Sequence, residues 1–143
     1  MKKVSSIFFT AVMLMGLVSC EKDSNSNDEQ SNTTTSIVSQ GTWKITLFND
    51  SGKDETSDFS GYDFTFNSNG SVMAVKNTIT VPGTWSNGID DSQNKLILNF
   101  GTTIPFDDLN EDWDILEKTQ VKIRLQHISG GNGGTDLLTF EKN

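Results

Sequence analysis

Apolar and polar residues alternate with a period of two in run after run of this chain, and that pattern constrains its fold more than anything else. Trp43, Ile45 and Leu47 alternate with Lys44 and Thr46, and Tyr62, Phe64 and Phe66 with Asp63, Thr65 and Asn67. Val121, Ile123 and Leu125 alternate with Lys122, Arg124 and Gln126. Successive side chains on a strand point to opposite faces, so each run predicts a strand with one buried face. Strands are also predicted over Ser71–Asn77, around Gly83–Ser86, over Lys95–Phe100 and over Leu137–Glu141. Asn67-Ser68-Asn69-Gly70 predicts a hairpin with Gly70 at a positive φ, and Asn87-Gly88 is expected to end the strand before it. Residues 106–118 fit helical spacing through Phe106, Leu109, Trp113 and Leu116, but a turn followed by a strand at Asp112–Leu116 is the preferred reading. The result is an all-β domain of eight short, sequential strands over residues 39–143. An antiparallel eight-stranded up-and-down barrel is expected, with a sandwich as the alternative.

The N-terminal residues follow other rules. Lys2 and Lys3 precede an apolar run from Ile7 to Val18, too short to cross about 30 Å of hydrocarbon as a helix. A charged start, a short apolar stretch and small residues before a cut predict a secretory signal over residues 1–19. Leu17-Val18-Ser19-Cys20 resembles the lipobox of bacterial lipoproteins. That resemblance implies cleavage before Cys20, a thioether-linked diacylglycerol on its sulfur and usually an N-linked acyl chain such as palmitate. Several chains on one residue anchor a protein stably where one would not. Cys20 is also the chain's only cysteine, so no internal disulfide is available.

Residues 20–38 are expected to carry the lipid and form a flexible acidic tether. From Glu21 to Ser36 no side chain is apolar, so little burial offsets the entropy of ordering the segment. Glu21-Lys22-Asp23 resembles the export signals that send Bacteroidota lipoproteins to the cell surface. The expected location is thus the bacterial outer membrane, lipid-anchored and displayed at the surface.

Charge narrows the partners. The full chain carries 19 acidic and 11 basic residues, net −8. Cleavage after residue 19 removes two lysines and no acid, leaving −10, of which the tether holds −3 and the domain −7. Nucleic acid is excluded as a charge-matched partner.

Gly41-Thr42-Trp43 at the first strand resembles the Gly-x-Trp motif of lipocalins. Asp112-Trp113-Asp114-Ile115-Leu116, followed after a turn by Val121-Lys122-Ile123-Arg124-Leu125, resembles the small lipocalin-like domains of Bacteroidota lipoproteins. So do Asn69-Gly70 after an aromatic strand and the second Gly83-Thr84-Trp85. The resemblance implies a barrel that binds a small apolar ligand or an extracellular partner. Lipocalins also tend to stack a late arginine on the tryptophan matching Trp43, whereas Arg124, the only arginine here, alternates outward.

An eight-stranded barrel is either just filled by side chains or holds one small ligand. Trp43, Tyr62, Phe64, Phe66, Trp85, Phe100, Trp113 and Phe140 are expected to point inward, as core or as ligand lining. Phe48, Phe59 and Phe106 fall at a strand end or in loops, where they could form an exposed rim for a glycan or protein. Such a rim would suit the alternative function, a β-sandwich adhesion or carbohydrate-binding module.

Little points to catalysis. His127 is the only histidine and is expected to be a solvated residue at a strand end, so a multi-histidine zinc site is unavailable. No serine sits in a G-x-S-x-G elbow. In the acidic run 107–114, Asp108, Asn110 and Asp112 match the first three EF-hand ligand positions. Trp113 stands where that loop needs glycine, and Thr119 where it needs glutamate, so the run reads as a solvated acidic turn. The expectation is a non-enzymatic binding domain with no cofactor and no metal.

Overall fold

The computed structural model describes residues 26–131 and 133–143, with side chains from residue 31 onward. The signal segment 1–19, Cys20 and the first residues of the tether lie outside the described residues. The strands are β1 (Trp43–Asp50), β2 (Lys53–Asp54), β3 (Asp63–Phe66), β4 (Ser71–Lys76), β5 (Ile79–Asp90), β6 (Gln93–Asn99), β7 (Asp112–Lys118), β8 (Lys122–Ile128) and β9 (Thr135–Lys142). From β3 to β9 each strand pairs antiparallel with the next, and β1 pairs with both β3 and β9. β2 is a two-residue ribbon on the end of β1, at Asn49–Asp54 and Asp50–Lys53. The other eight strands therefore form a closed up-and-down barrel, as the alternation predicts.

The barrel interior is a mesh of rings. Phe64 lies centrally, with ring centroids 5.3 Å from Phe140, 6.1 Å from Phe106 and 6.2 Å from Phe100. Phe66 meets Trp85 at 5.7 Å and Phe140 at 5.5 Å, both edge to face. Edge-to-face contacts set the positive ring edge against a negative ring face and add to the gain from burial. Of the eight rings expected inside, Trp43, Phe64, Phe66, Trp85, Phe100, Trp113 and Phe140 are buried. Tyr62 is half-buried, its ring edge on Phe106 at 4.9 Å and the Lys76 ammonium 5.4 Å from its centroid.

Phe48, Phe59 and Phe106 are not a rim: all three are buried in the core. Phe48 turns inward because β1 carries a bulge against β9 between Ile45 and Leu47. One extra residue flips every side chain after it to the other face. Leu47, expected inside, is left half-buried while Phe48 meets Trp113 at 6.4 Å. Phe59 belongs to a 3-10 turn (Thr56–Phe59) beside the seam between β1 and β3, whose register holds the single pair Trp43–Phe64. It packs on Phe48 at 5.3 Å and Phe106 at 5.5 Å. Phe106 opens a second 3-10 turn (Phe106–Leu109) that closes the same end of the barrel.

Two further expectations change. Asn87-Gly88 does not end a strand: β5 runs on to Asp90 and turns at Asp91-Ser92, whose φ values of 47° and 64° suit a two-residue hairpin. Pro82 is tolerated inside β5 because it pairs only with Met73 of β4, the ladder to β6 starting at Thr84. Val121 does not share the inward face of Ile123 and Leu125 but precedes β8 at 62 % exposure.

The end of the tether is not coil. Helix α1 (Ser26–Val38) covers part of it, and its last turns dock on the barrel. Thr34 and Val38 are buried, Asn87 Nδ2 donates to Thr35 Oγ1 at 2.7 Å, and Trp43 Nε1 donates to the Val38 carbonyl at 2.9 Å. Polar residues order here because threonine methyls and a satisfied amide give these turns a surface to pack against. Among the described residues no helix is long and apolar enough to cross a membrane.

The two Gly-x-Trp motifs answer different needs. Gly41 has a φ of 74°, which suits the turn out of α1. A Cβ on Gly83 would lie 2.7 Å from the Phe100 ring and 2.8 Å from the Asn99 carbonyl oxygen, so glycine lets β6 and its phenylalanine approach. The stacking partner of Trp43 is a late lysine: Lys142 Nζ lies 5.0 Å from the ring centroid, while Arg124 points outward to Glu117 at 3.6 Å.

Phe64→Ala should destabilise the domain by about 3–5 kcal/mol, because a ring is removed where neighbours cannot collapse. Val121→Ala should stay within about 0.5 kcal/mol. Urea unfolding followed by tryptophan fluorescence measures both.

Candidate functional site

The rings leave the polar chemistry to the barrel's ends, which differ sharply. Trp43, Lys118 and Lys142 mark the end where α1 docks. The opposite end of the same strands carries Asp50 on β1, Asp112 on β7 and Asp136 on β9. Around them stand Asp54, Glu55 and Asp58 from β2 and the first 3-10 turn, and Asp107, Asp108 and Glu111 at and after the second. Asp50, Ser51, Asp107, Asp108, Glu111, Ser129 and Asp136 line one open cleft of about 240 Å³, floored by Phe48. Lys53 engages Glu55, but the acids greatly outnumber the cations at this end.

Local chemistry shapes each wall. In the second 3-10 turn the Asp107 amide donates to the Thr103 carbonyl at 2.9 Å, and Trp113 Nε1 donates to the Leu109 carbonyl at 3.1 Å. The turn is thereby fixed to β7 and holds its acids outward. Asp136 Oδ1 accepts from the Ser51 amide at 2.8 Å and from Ser51 Oγ at 3.0 Å, tying β9 to the β1–β2 turn.

His127 is not solvated as its place in the sequence suggests. It lies within β8, opposite Asp136, with its side chain 19 % exposed and its ring 6.2 Å from Trp113. Nδ1 is 3.4 Å from Asp136 Oδ2, while Nε2 is 3.4 Å from Glu111 Oε2 and 3.8 Å from Asp112 Oδ1. Two carboxylates from one segment and an imidazole from the next strand thus converge. The spacing of Glu111, Asp112 and His127 along the chain gave no sign of this, because only the β7–β8 pairing brings them together.

Of the eight expected lining or core residues, seven are buried between the two ends and Tyr62 is half-buried. The clefts nearer the α1 end are open, one lined by Thr35, Ser68, Asn69, Gly70, Trp85, Ser86 and Asn87.

Crowding leaves a titration signature. Partial burial, followed by the charge of Asp107 and then of Glu55, Asp50 and Asp58, pushes the Asp108 carboxyl above its ordinary range. A carboxyl with a raised folded-state pKa binds protons more readily folded than unfolded. Stability therefore falls as pH rises from the unfolded through the folded pKa, and the penalty persists at neutral pH. Asp108→Asn should raise Tm at pH 7, and the gain should vanish below the unfolded pKa, near pH 3. Calorimetry at the two pH values checks the sign.

No family model matches the chain, and no curated protein is similar to it. Among solved structures, a DUF4847 family protein from Bacteroides vulgatus ATCC 8482 superposes with a TM-score of 0.50 and 17 % identity. The match covers 76 % of this chain and 96 % of that one. The likeness extends to the fold: a closed antiparallel barrel consistent with a lipocalin-like domain.

Proposed function

We propose that this chain is an outer-membrane lipoprotein, anchored through acyl chains on Cys20, whose lipocalin-like barrel is a non-enzymatic binding module displayed at the cell surface. Its acidic end is the recognition face, and the partner is an extracellular protein or peptide rich in lysine and arginine. The observation that carries this reading is the polarity of the barrel. Ring-to-ring contacts occupy the interior where a small apolar ligand would sit, while at least nine carboxylates gather at the end opposite α1. A tether reaching α1 from the membrane leaves that acidic end facing away from the bilayer. Charge concentrated on one face steers and orients an oppositely charged partner. The glycan-binding alternative loses its support, since the three aromatics it needed on the surface are buried.

Cys20→Ala should shift the protein from the membrane fraction to the soluble one; retention in the membrane would overturn the anchor. A lysine-rich probe peptide should bind the protein with an affinity that falls as salt rises, and Asp50→Asn with Asp107→Asn should weaken it. Salt-independent binding, or saturable uptake of one apolar fluorophore per chain, would favour an interior ligand instead.

A further inference from the structure

We propose that Glu111, Asp112 and His127 form a binding site for a first-row divalent cation of the zinc class. The three donor atoms lie within 4.8 Å of one another. His127 Nε2 stands 3.4 Å from Glu111 Oε2 and 3.8 Å from Asp112 Oδ1. Two donors each about 2.0–2.1 Å from a tetrahedral ion stand roughly 3.3 Å apart; the His127–Glu111 pair, at 3.4 Å, is close to that spacing, and Asp112, at 3.8 Å, closes in by about half an ångström on binding.

The imidazole is prepared for that role. Asp136 faces Nδ1 at 3.4 Å and is itself held by the Ser51 amide and hydroxyl. A proton on Nδ1 directed at Asp136 leaves the Nε2 lone pair aimed between two carboxylates, where only a positive charge is favourable. A carboxylate behind a ligating histidine sets its tautomer and strengthens it as a donor. The Trp113 ring, 6.2 Å away, flanks the imidazole. His127 and Asp136 sit on paired strands, which hold their spacing better than loops would. One nitrogen with two carboxylate oxygens suits zinc-class ions over calcium or magnesium, which prefer oxygen alone. Three protein donors leave a fourth position for water or for a donor from a partner.

The site stands on its own geometry and does not depend on the basic partner proposed above. Its competitor is a proton: an imidazolium between carboxylates would satisfy the same charges.

The test is calorimetric titration of the full-length chain, free of any histidine tag and stripped with EDTA, using zinc chloride alone and then calcium chloride. One equivalent of zinc should bind, and His127→Gln should abolish it. Glu111→Gln, at a half-exposed position, should weaken it, and Asp136→Asn should weaken it by roughly 10-fold or more. Circular dichroism of each variant should match the parent, and Glu111→Gln tests the site independently should His127→Gln fail to fold. Absence of saturable zinc binding would assign the Nε2 position to a proton and overturn the site. So would zinc binding that survives both substitutions, or calcium binding as tight as zinc.

Discussion

Everything in this structure depends on β1 pairing along both of its edges. By pairing with β9 it closes the sheet and gives the inward faces of eight strands a common interior. Its register contains one bulge, and that single extra residue brings Phe48 inside. On the other edge β1 meets β3 at only one register pair. The neighbouring 3-10 turn brings Phe59 against Phe48 and Phe106 there, so a weak place in the hydrogen-bonded wall is backed by aromatic packing.

Filling so small an interior with rings has consequences at both ends. Each of the three tryptophans buries an indole but must satisfy its N–H, and each does so with a carbonyl of a capping segment: Val38 of α1, Asn67 of the β3–β4 hairpin, Leu109 of the second 3-10 turn. A buried donor without a partner would cost about 1–3 kcal/mol, so core and caps are coupled. The rings settle the middle of the barrel, and polar chemistry is pushed to its ends.

Those ends are electrostatically unlike. Acids carried by β1, β7, β9 and the two 3-10 turns share one end, while Lys118 and Lys142 mark the other with α1. Burial, and after it the charge of the neighbouring acids, pushes the Asp108 carboxyl up, so holding it ionised at this end costs stability. A surface that retains such a cost is suited to meeting positive charge, whether on a partner or in an ion. His127, between Glu111, Asp112 and Asp136, is where that demand is most local.

The sequence by itself determined the all-β class, most of the strands and most of the core, because period-two alternation says which side chains share a face. It also marked the Asn67–Gly70 hairpin, through a glycine that the φ of 87° requires. Only the tertiary structure decided the rest. Whether Phe48 or Leu47 points inward depends on a bulge created by the pairing with β9, and no local pattern encodes it. Phe59 and Phe106 lie in turns that look exposed until the barrel gives them an interior to enter. Thr34 and Val38 are ordered because barrel and helix offer each other complementary surfaces. The cluster at His127 draws its groups from the start of β7, the end of β8 and the start of β9. Residues that far apart along the chain become neighbours only when register is set, and register is a property of the closed sheet.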